Sequence, residues 1–205
     1  MAATRTGITA SAGATTETEF SSAAQRERRQ RILDATLALA SKGGYEAVQM
    51  RAVADRAGVA LGTLYRYFPS KIHLLVSGLA REFERNQEKL DRTPIPGDTP
   101  YDRMLFVLGR ITRTMQREPM LTEAMTRAFM FADPSAAAEV NTVARLMEHM
   151  LTSAMHDGEP SADEIAIARI IGDVWLSALV AWVTRRASAN DVSNQLELAA
   201  RLLLR

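Results

Sequence analysis

The chain has no cysteine, and only three of its 205 residues are histidine. Disulfides, thiolate nucleophiles and thiolate metal sites are therefore excluded, and nothing argues for an oxidising compartment. A cytoplasmic address is the expectation. His73, His149 and His156 are scattered without spaced ligand companions, so neither a metal nor any other cofactor is expected. Serine and aspartate occur throughout, but no nucleophile elbow or other catalytic motif accompanies them, and nothing marks an enzyme. No apolar run approaches the ~20 residues that a bilayer span needs. Residues 1–20 hold Glu17 and Glu19 and lack an apolar core, which argues against an export signal. No membrane partner is expected.

What the chain does have is apolar content of 47%, enough to bury a real core in one ordinary domain or in a small head and a larger body. Its net charge of +1 conceals an asymmetry. Between Gln25 and Lys71 nine Lys/Arg stand against four Asp/Glu, a net +5, whereas Ile72 to Arg205 has fifteen against eighteen, a net −3. A basic head on a mildly acidic body is the footprint of nucleic-acid binding joined to a second task.

Residues 1–20 are rich in Ala, Thr, Ser and Gly without hydrophobic period and read as a flexible arm. Residues 21–71 read as a DNA-binding head and residues 72–205 as a helical body. In the head, Ile32, Leu33, Thr36, Leu37 and Ala40 make one helical stripe that ends at Lys42–Gly43–Gly44. QRERRQR at Gln25–Arg31 crowds four arginines, Arg28 among them, at what reads as the start of that helix. Positive charge there opposes the helix dipole and asks for an anionic partner, though a merely solvated charge run is the plain alternative.

The stretch from Gln49 to Lys71, QMRAVADRAGVALGTLYRYFPSK, is the most informative in the chain. Val53, Ala54 and Ala57 belong to one helix, Gly58 supplies the positive φ of a sharp turn, and a second helix runs from about Ala60 to Phe68. Spacing turns Leu64 and Phe68 inward and leaves Thr63, Tyr65, Arg66 and Tyr67 outside. Pro69 stops this helix and Ser70 can cap the next, with Lys71 beside its positive end, where a phosphate is favoured. Such a unit is a helix-turn-helix; a plain helical corner is the alternative, but a corner has no use for two tyrosines and an arginine on its open face.

Gly44–Tyr45, Val53–Ala54, Ala57–Gly58–Val59, Gly62–Thr63–Leu64–Tyr65, Tyr67–Phe68 and Lys71 together resemble the DNA-binding domain of the TetR family of repressors. The pattern covers about Arg26 to Leu75. Gln49 and Ala60 depart from it, standing where the family has capping hydroxyls. The resemblance implies that Tyr65, Tyr67 and Lys71 hold phosphates while Arg51, Leu61, Gly62 and Thr63 face base edges. Leu61 also has an inward pose open to it, by its spacing from Leu64.

After the head, Ile72, Leu75, Leu79, Phe83 and Leu90 predict a helix of about twenty residues, and Thr93–Pro100 a Pro-rich loop. A fifth helix carries Tyr101, Met104, Leu105, Leu108, Ile111 and Met115. A sixth opens at Pro119. Asp133 caps a seventh with Pro134 at its first position, running to Gly158. Ser161 and Glu164 form a capping box for an eighth reaching about Ser188, and a ninth starts near Asp191. The whole chain is thus all-α: a three-helix helix-turn-helix domain followed by a helical ligand-binding and dimerisation domain.

The last two helices are apolar on two faces each. Ala168, Ile171, Trp175, Ala178 and Trp182 stripe one face of the eighth, and Ile167, Ile170, Val174 and Ala181 another. Leu198 and Leu202 lie beside the core stripe of the ninth. One core cannot bury both faces, so a homodimer sharing a four-helix bundle is expected.

Eight of the ten methionines fall between Met104 and Met155, where they can line an adaptable pocket or fill an ordinary core. The pocket expected between the fifth to eighth helices draws on Leu105, Leu108, Met115, Met125, Phe129, Met147 and Trp175. Arg103, Arg110, Arg113 and Arg117 share one face that can meet an anion or simply be solvated. Beyond the head, Leu121–Asp133 and Asp173–Ser188 resemble, within that family, actinobacterial regulators of sterol breakdown. This implies a repressor of cholesterol and lipid catabolism genes on double-stranded operator DNA, released by a hydrophobic effector, a sterol-derived coenzyme A thioester. Two other classes stand beside that reading: an all-α acyl-CoA or sterol-binding enzyme or carrier, and a DNA-bound structural protein without a ligand.

Overall fold

A computed structural model of the protein describes residues 11–204, with side chains from residue 23 onward. Among them the chain is all-α, in the order α1 (Ser11–Ala47), α2 (Met50–Ala57), α3 (Leu61–Tyr67), α4 (Lys71–Asp91), α5 (Pro100–Arg117), α6 (Pro119–Met130), a 3-10 turn (Pro134–Ala136), α7 (Ala137–Met155), α8 (Ala162–Val183) and α9 (Ala189–Leu203).

The head forms as its residues dictate. Helix α1 breaks at Gly43–Gly44, where Gly44 takes φ 64°. A Cβ on Gly44 would also lie 3.1 Å from Glu123 Oε2 and 3.2 Å from the Met120 methyl, so glycine serves both the turn and the close approach of α6. Gly58 closes α2 at φ 64°, its N–H donating to the carbonyls of Ala54 and Asp55. Neither Gln49 nor Ala60 makes a side-chain cap, in keeping with their departure from capping hydroxyls. Leu64 and Phe68 close over Ile32, Leu33 and Val53 in one buried cluster.

Helix α4 joins head to body, and Ser70 caps it by accepting from the His73 backbone N–H. The sequence marks one apolar stripe on it; the fold buries it all round from His73 to Arg81. It is enclosed because α1, α6 and α7 all pack against it. Gly78 permits this, since a Cβ there would come within 2.9 Å of the Leu37 side chain. In the body α8 and α9 pair, α5 packs on α7 and α9, and α7 on α8. Capping boxes open α5 (Thr99 with Asp102), α8 (Ser161 with Glu164) and α9 (Ser188 with Asp191). In the last two, hydrogen bonds from Ser161 and Ser188 hold the Glu164 and Asp191 carboxyls below their ordinary pKa range.

Several sequence expectations require correction. Residues 1–10 lie outside the described residues, but the rest of the expected arm, from Ser11, is helix continuous with α1. Once a strong helix is nucleated, a proline-free Ala- and Glu-containing segment extends it at little cost. Arg26–Arg31 therefore lies inside a helix rather than at its start, and the dipole argument for that cluster falls. Asp133 caps the 3-10 turn rather than α7 itself. Helix α8 ends at Val183, not near Ser188, because Ser188 must be extended to cap α9; Arg185, at φ 60°, makes the reversal. At 22 residues α8 is also long and apolar enough to cross a bilayer, contrary to the expectation that no run approaches that length. Its buried residues, Ala168, Ile171, Gly172, Trp175, Ala178 and Leu179, instead face the core.

The joint between head and body contains a buried cation. Arg81 on α4 is 5% exposed; its Nη1 lies 2.9 Å from Asp34 Oδ1 and donates to Gln30 Oε1 at 2.9 Å, both on α1. Its Nε and Nη2 have no hydrogen-bond partner among the described residues. Burial, reinforced by nearby Arg85, lowers the guanidinium pKa, while Asp34 and Glu82 act against that shift. Removing one partner of such a pair strands a buried charge, whereas removing the charge itself does not. Asp34→Ala should therefore destabilise the protein by about 1–3 kcal/mol, and Arg81→Met by less, as read from urea unfolding midpoints.

Candidate nucleic-acid interface and apolar cavity

The turn at Gly58 sets α3 across α2 and carries the residues expected to meet nucleic acid. Arg51, in the first turn of α2, is exposed, as are Tyr65 and Arg66 on α3. Gly62 is exposed, and a Cβ added to it would meet nothing within 4 Å. Protein packing therefore gives no reason for glycine there. Thr63 is half-buried, and Leu61 leans on the head core, the inward pose that its spacing left open. Tyr67 is not simply outside either, since its ring rests 6.5 Å from that of Phe68 and packs on the core. A phenol is amphipathic, so its body can be buried while its hydroxyl end meets solvent. Arg28 is half-buried on α1. Its neighbour Arg29 lies over the Phe68 ring at 5.4 Å, a contact that nothing in the sequence spacing marks.

Lys71, at the first position of α4, does not stand alone. Its Nζ lies 3.8 Å from the centre of the Tyr45 ring, donates to the Tyr45 carbonyl at 3.4 Å and is 4.0 Å from Glu46 Oε2. Arg127 of α6 reaches the same ring at 4.3 Å and pairs with Glu46 Oε1 at 3.0 Å. The Tyr45 N–H donates to Glu123 Oε2 at 3.3 Å. The sequence marks Tyr45 only as part of the family pattern and does not mark Glu46 or Arg127, because nothing in linear spacing places α6 beside the end of α1.

In the body an apolar cavity of about 40 Å³ lies among α4 to α8. Met115, Phe129, Met147 and Trp175 line it as expected, with Leu79, Phe83, Thr126, Val143 and Gly172. Met125 instead lines an adjoining void of about 110 Å³, which shares Leu79, Phe83 and Met115 with the first. Leu105 and Leu108 line neither. They lie ten and seven residues before Met115, and at 1.5 Å per residue that sets them roughly 10–15 Å further along α5. Trp175 meets Phe83 edge-on at 6.1 Å, and its indole N–H has no hydrogen-bond partner among the described residues. Gly172 lets the Met147 methyl approach to within 3.3 Å of where a Cβ would stand.

Further along α4 and α7 is a polar cleft of about 710 Å³, reached by Gln87 and Leu90 from α4 and by Met150 and Ser153 from α7. Arg92, His149 and His156 line it, with Asp91 and Asp157. Arg103 reaches it too, but its guanidinium donates to the carbonyls of Ala154 at 2.9 Å and Met155 at 2.8 Å, which closes the C-terminus of α7. The four arginines of α5 are thus not equivalent. No group of three or more metal-ligating side chains occurs among the described residues.

Two family models match the chain: that of bacterial regulatory proteins of the tetR family over residues 32–77, and that of the tetracyclin repressor-like C-terminal domain over residues 97–203. The chain is 68% identical over 188 residues to the HTH-type transcriptional repressor KstR of Mycolicibacterium smegmatis, covering 92% of both proteins. Its fold superposes on a TetR transcriptional regulator from Rhodococcus sp. RHA1 with a TM-score of 0.81 at 32% identity, covering 88% of this chain and 97% of the other. The fold of Thermus thermophilus FadR, a TetR-family repressor solved with lauroyl-CoA, matches with a TM-score of 0.67 at 22% identity, over 86% of this chain and 93% of that one. With both halves matched and a close relative spanning nine-tenths of its length, the chain belongs to the TetR family of transcriptional repressors, a family of regulators and not of enzymes.

Proposed function

We propose that this repressor binds palindromic operator DNA as a homodimer, controls sterol and lipid catabolism genes, and is released by a sterol-derived coenzyme A thioester. The observation that carries the release step is that one helix serves both sites. Helix α4 begins at Lys71, beside the candidate DNA surface, and puts Leu79 and Phe83 in the cavity wall. The sterol assignment is supported by the likeness to KstR and by the resemblance of Leu121–Asp133 and Asp173–Ser188 to sterol-responsive regulators. The thioester class is supported by the FadR relative solved with lauroyl-CoA.

A cavity of about 40 Å³ is far below the roughly 300–1,000 Å³ of drug-sized ligand sites, so a sterol must open it. Met115 and Met147 can move at low cost, because their thioether chains are flexible. Displacing Leu79 and Phe83 then moves α4 and, with it, the head. The polar cleft one to two turns further along α4 and α7 accommodates the anionic part, with Arg92, His149 and His156 at hand.

On the head, Tyr65, Tyr67 and Lys71 take phosphates, Arg66 and Arg28 add positive charge, and Arg51, Gly62 and Thr63 face base edges, with Leu61 buttressing α3. Lys71→Ala should weaken binding to all sequences alike and lower the salt slope by about one, while Arg51→Ala should cost about 1–3 kcal/mol and relax sequence preference. Mobility shifts on a panel of duplexes at several salt concentrations read both, and a specificity change confined to Lys71→Ala would overturn the division of roles.

The dimer rests on the second apolar face of α8 and α9, where Ile170 is 47% exposed, Leu198 46% and Leu202 62%. A second copy related by a two-fold axis covers that face with the same face of its own. Leu198→Glu should yield monomers by sedimentation and lose operator binding at once. Tight operator binding by a monomer would defeat this assembly.

Release is thermodynamically reciprocal. Operator affinity weakened about 100-fold requires about 2.7 kcal/mol of ligand preference for the non-binding state, and DNA must weaken ligand binding by the same factor. Calorimetric titration of a steroid-acid coenzyme A thioester with and without saturating operator duplex, the region upstream of the protein's own gene, should give affinities that differ accordingly. Equal affinities would rule the mechanism out.

A further inference from the structure

Lys71 shares its surroundings with an acid that can neutralise it. Glu46 is 74% exposed at its side chain, and its carboxylate stands 4.0 Å from Lys71 and 3.0 Å from Arg127. One carboxylate thus has two cations within reach. Both cations lie against the face of Tyr45, at 3.8 Å and 4.3 Å, which holds them near the acid. As long as Arg127 takes Glu46, the Lys71 ammonium, 29% exposed, keeps its charge available to a phosphate.

From this geometry we infer that Arg127, on the ligand-binding body, positions Lys71 for DNA by occupying Glu46. The inference rests on the reading that Lys71 contacts phosphate. Glu123 braces the arrangement, since it accepts the Tyr45 N–H at 3.3 Å and stands 3.9 Å from Arg127. Arg127 directly follows Thr126 and precedes Phe129 by two, and both of those line the cavity. Opening the cavity therefore acts on α6 as well as α4, and a shift of α6 that withdraws Arg127 leaves Glu46 to pair with Lys71. A contact about 80 residues away in sequence, Glu46 to Arg127, becomes a second connection between effector and DNA.

The test is a set of mobility-shift titrations at several salt concentrations, on duplex from upstream of the protein's own gene, with the full-length chain. Arg127→Gln should weaken binding about two- to fivefold, the range an exposed ion pair supports, and lower the salt slope towards that of Lys71→Ala. Glu46→Gln should restore binding in the Arg127→Gln background by more than it gains in the unmodified protein, and Arg127→Lys should retain more affinity than Arg127→Gln. In the Lys71→Ala background, Arg127→Gln should change nothing. If Arg127→Gln weakens binding equally with and without Lys71, Arg127 meets DNA itself and the positioning role is overturned. It is overturned too if the Glu46→Gln gains are equal in both backgrounds, or if Arg127→Gln has no effect. A Lys71→Ala variant that binds normally refutes instead the phosphate reading beneath the inference, and that outcome is seen separately in the same series.

Discussion

Helix α4 has no solvent face between His73 and Arg81, and most of the molecule's behaviour follows from that enclosure. A helix packed on every side cannot move without moving its neighbours, because protein interiors are as dense as organic crystals and bistable rather than continuously compliant. Leu79 and Phe83 put one side of α4 against the cavity, while Arg81 ties another to Asp34 and Gln30 of α1. Under the proposed release step, change on the cavity side is felt at the head. Gly78 makes the enclosure possible and cannot be enlarged without displacing Leu37.

The same region holds several buried polar groups without partners among the described residues. Ser77 Oγ, two nitrogens of Arg81 and the Trp175 indole N–H are all buried without a hydrogen-bond partner among the described residues. Each costs free energy that a fully satisfied core would not. Under the proposed release step, such costs along α4 and its cavity would narrow the gap between this packing and an opened one. That is the condition under which a ligand of modest differential affinity can shift a population. Methionine in the cavity wall works in the same direction, since it accommodates a change of shape at small cost.

Electrostatics divides between the two halves in a way that overall charge hides. The basic head carries the net positive charge, yet its Lys71 is held within reach of an acid and shares the Tyr45 ring with a guanidinium from the body. The apolar surface is divided as well. Helix α8 buries Trp175 and Ile171 while leaving Ile170 half exposed, so one side of this long apolar helix faces the core, and the other is the face assigned above to a second copy.

Local chemistry was enough to read the helix-turn-helix from the sequence: a glycine with positive φ at Gly58, the i,i+4 pair Leu64 and Phe68, and the Ser70 cap all depend on residues within a few positions of one another. The same holds for the Ser161 capping box and the two-faced pattern of α8 and α9. The cavity was legible only in part, because periodicity tells which residues face inward but not at what height along the helix. Met115, Phe129, Met147 and Trp175 therefore meet there, while Leu105 and Leu108 of the same stripe do not. What only the tertiary structure decided are the long-range pairings: Arg81 with Asp34, the Tyr45 ring between Lys71 and Arg127, and Arg103 at the end of α7. Helix periods and caps are set by neighbours along the chain, whereas these contacts join helices whose mutual placement depends on packing the whole core at once.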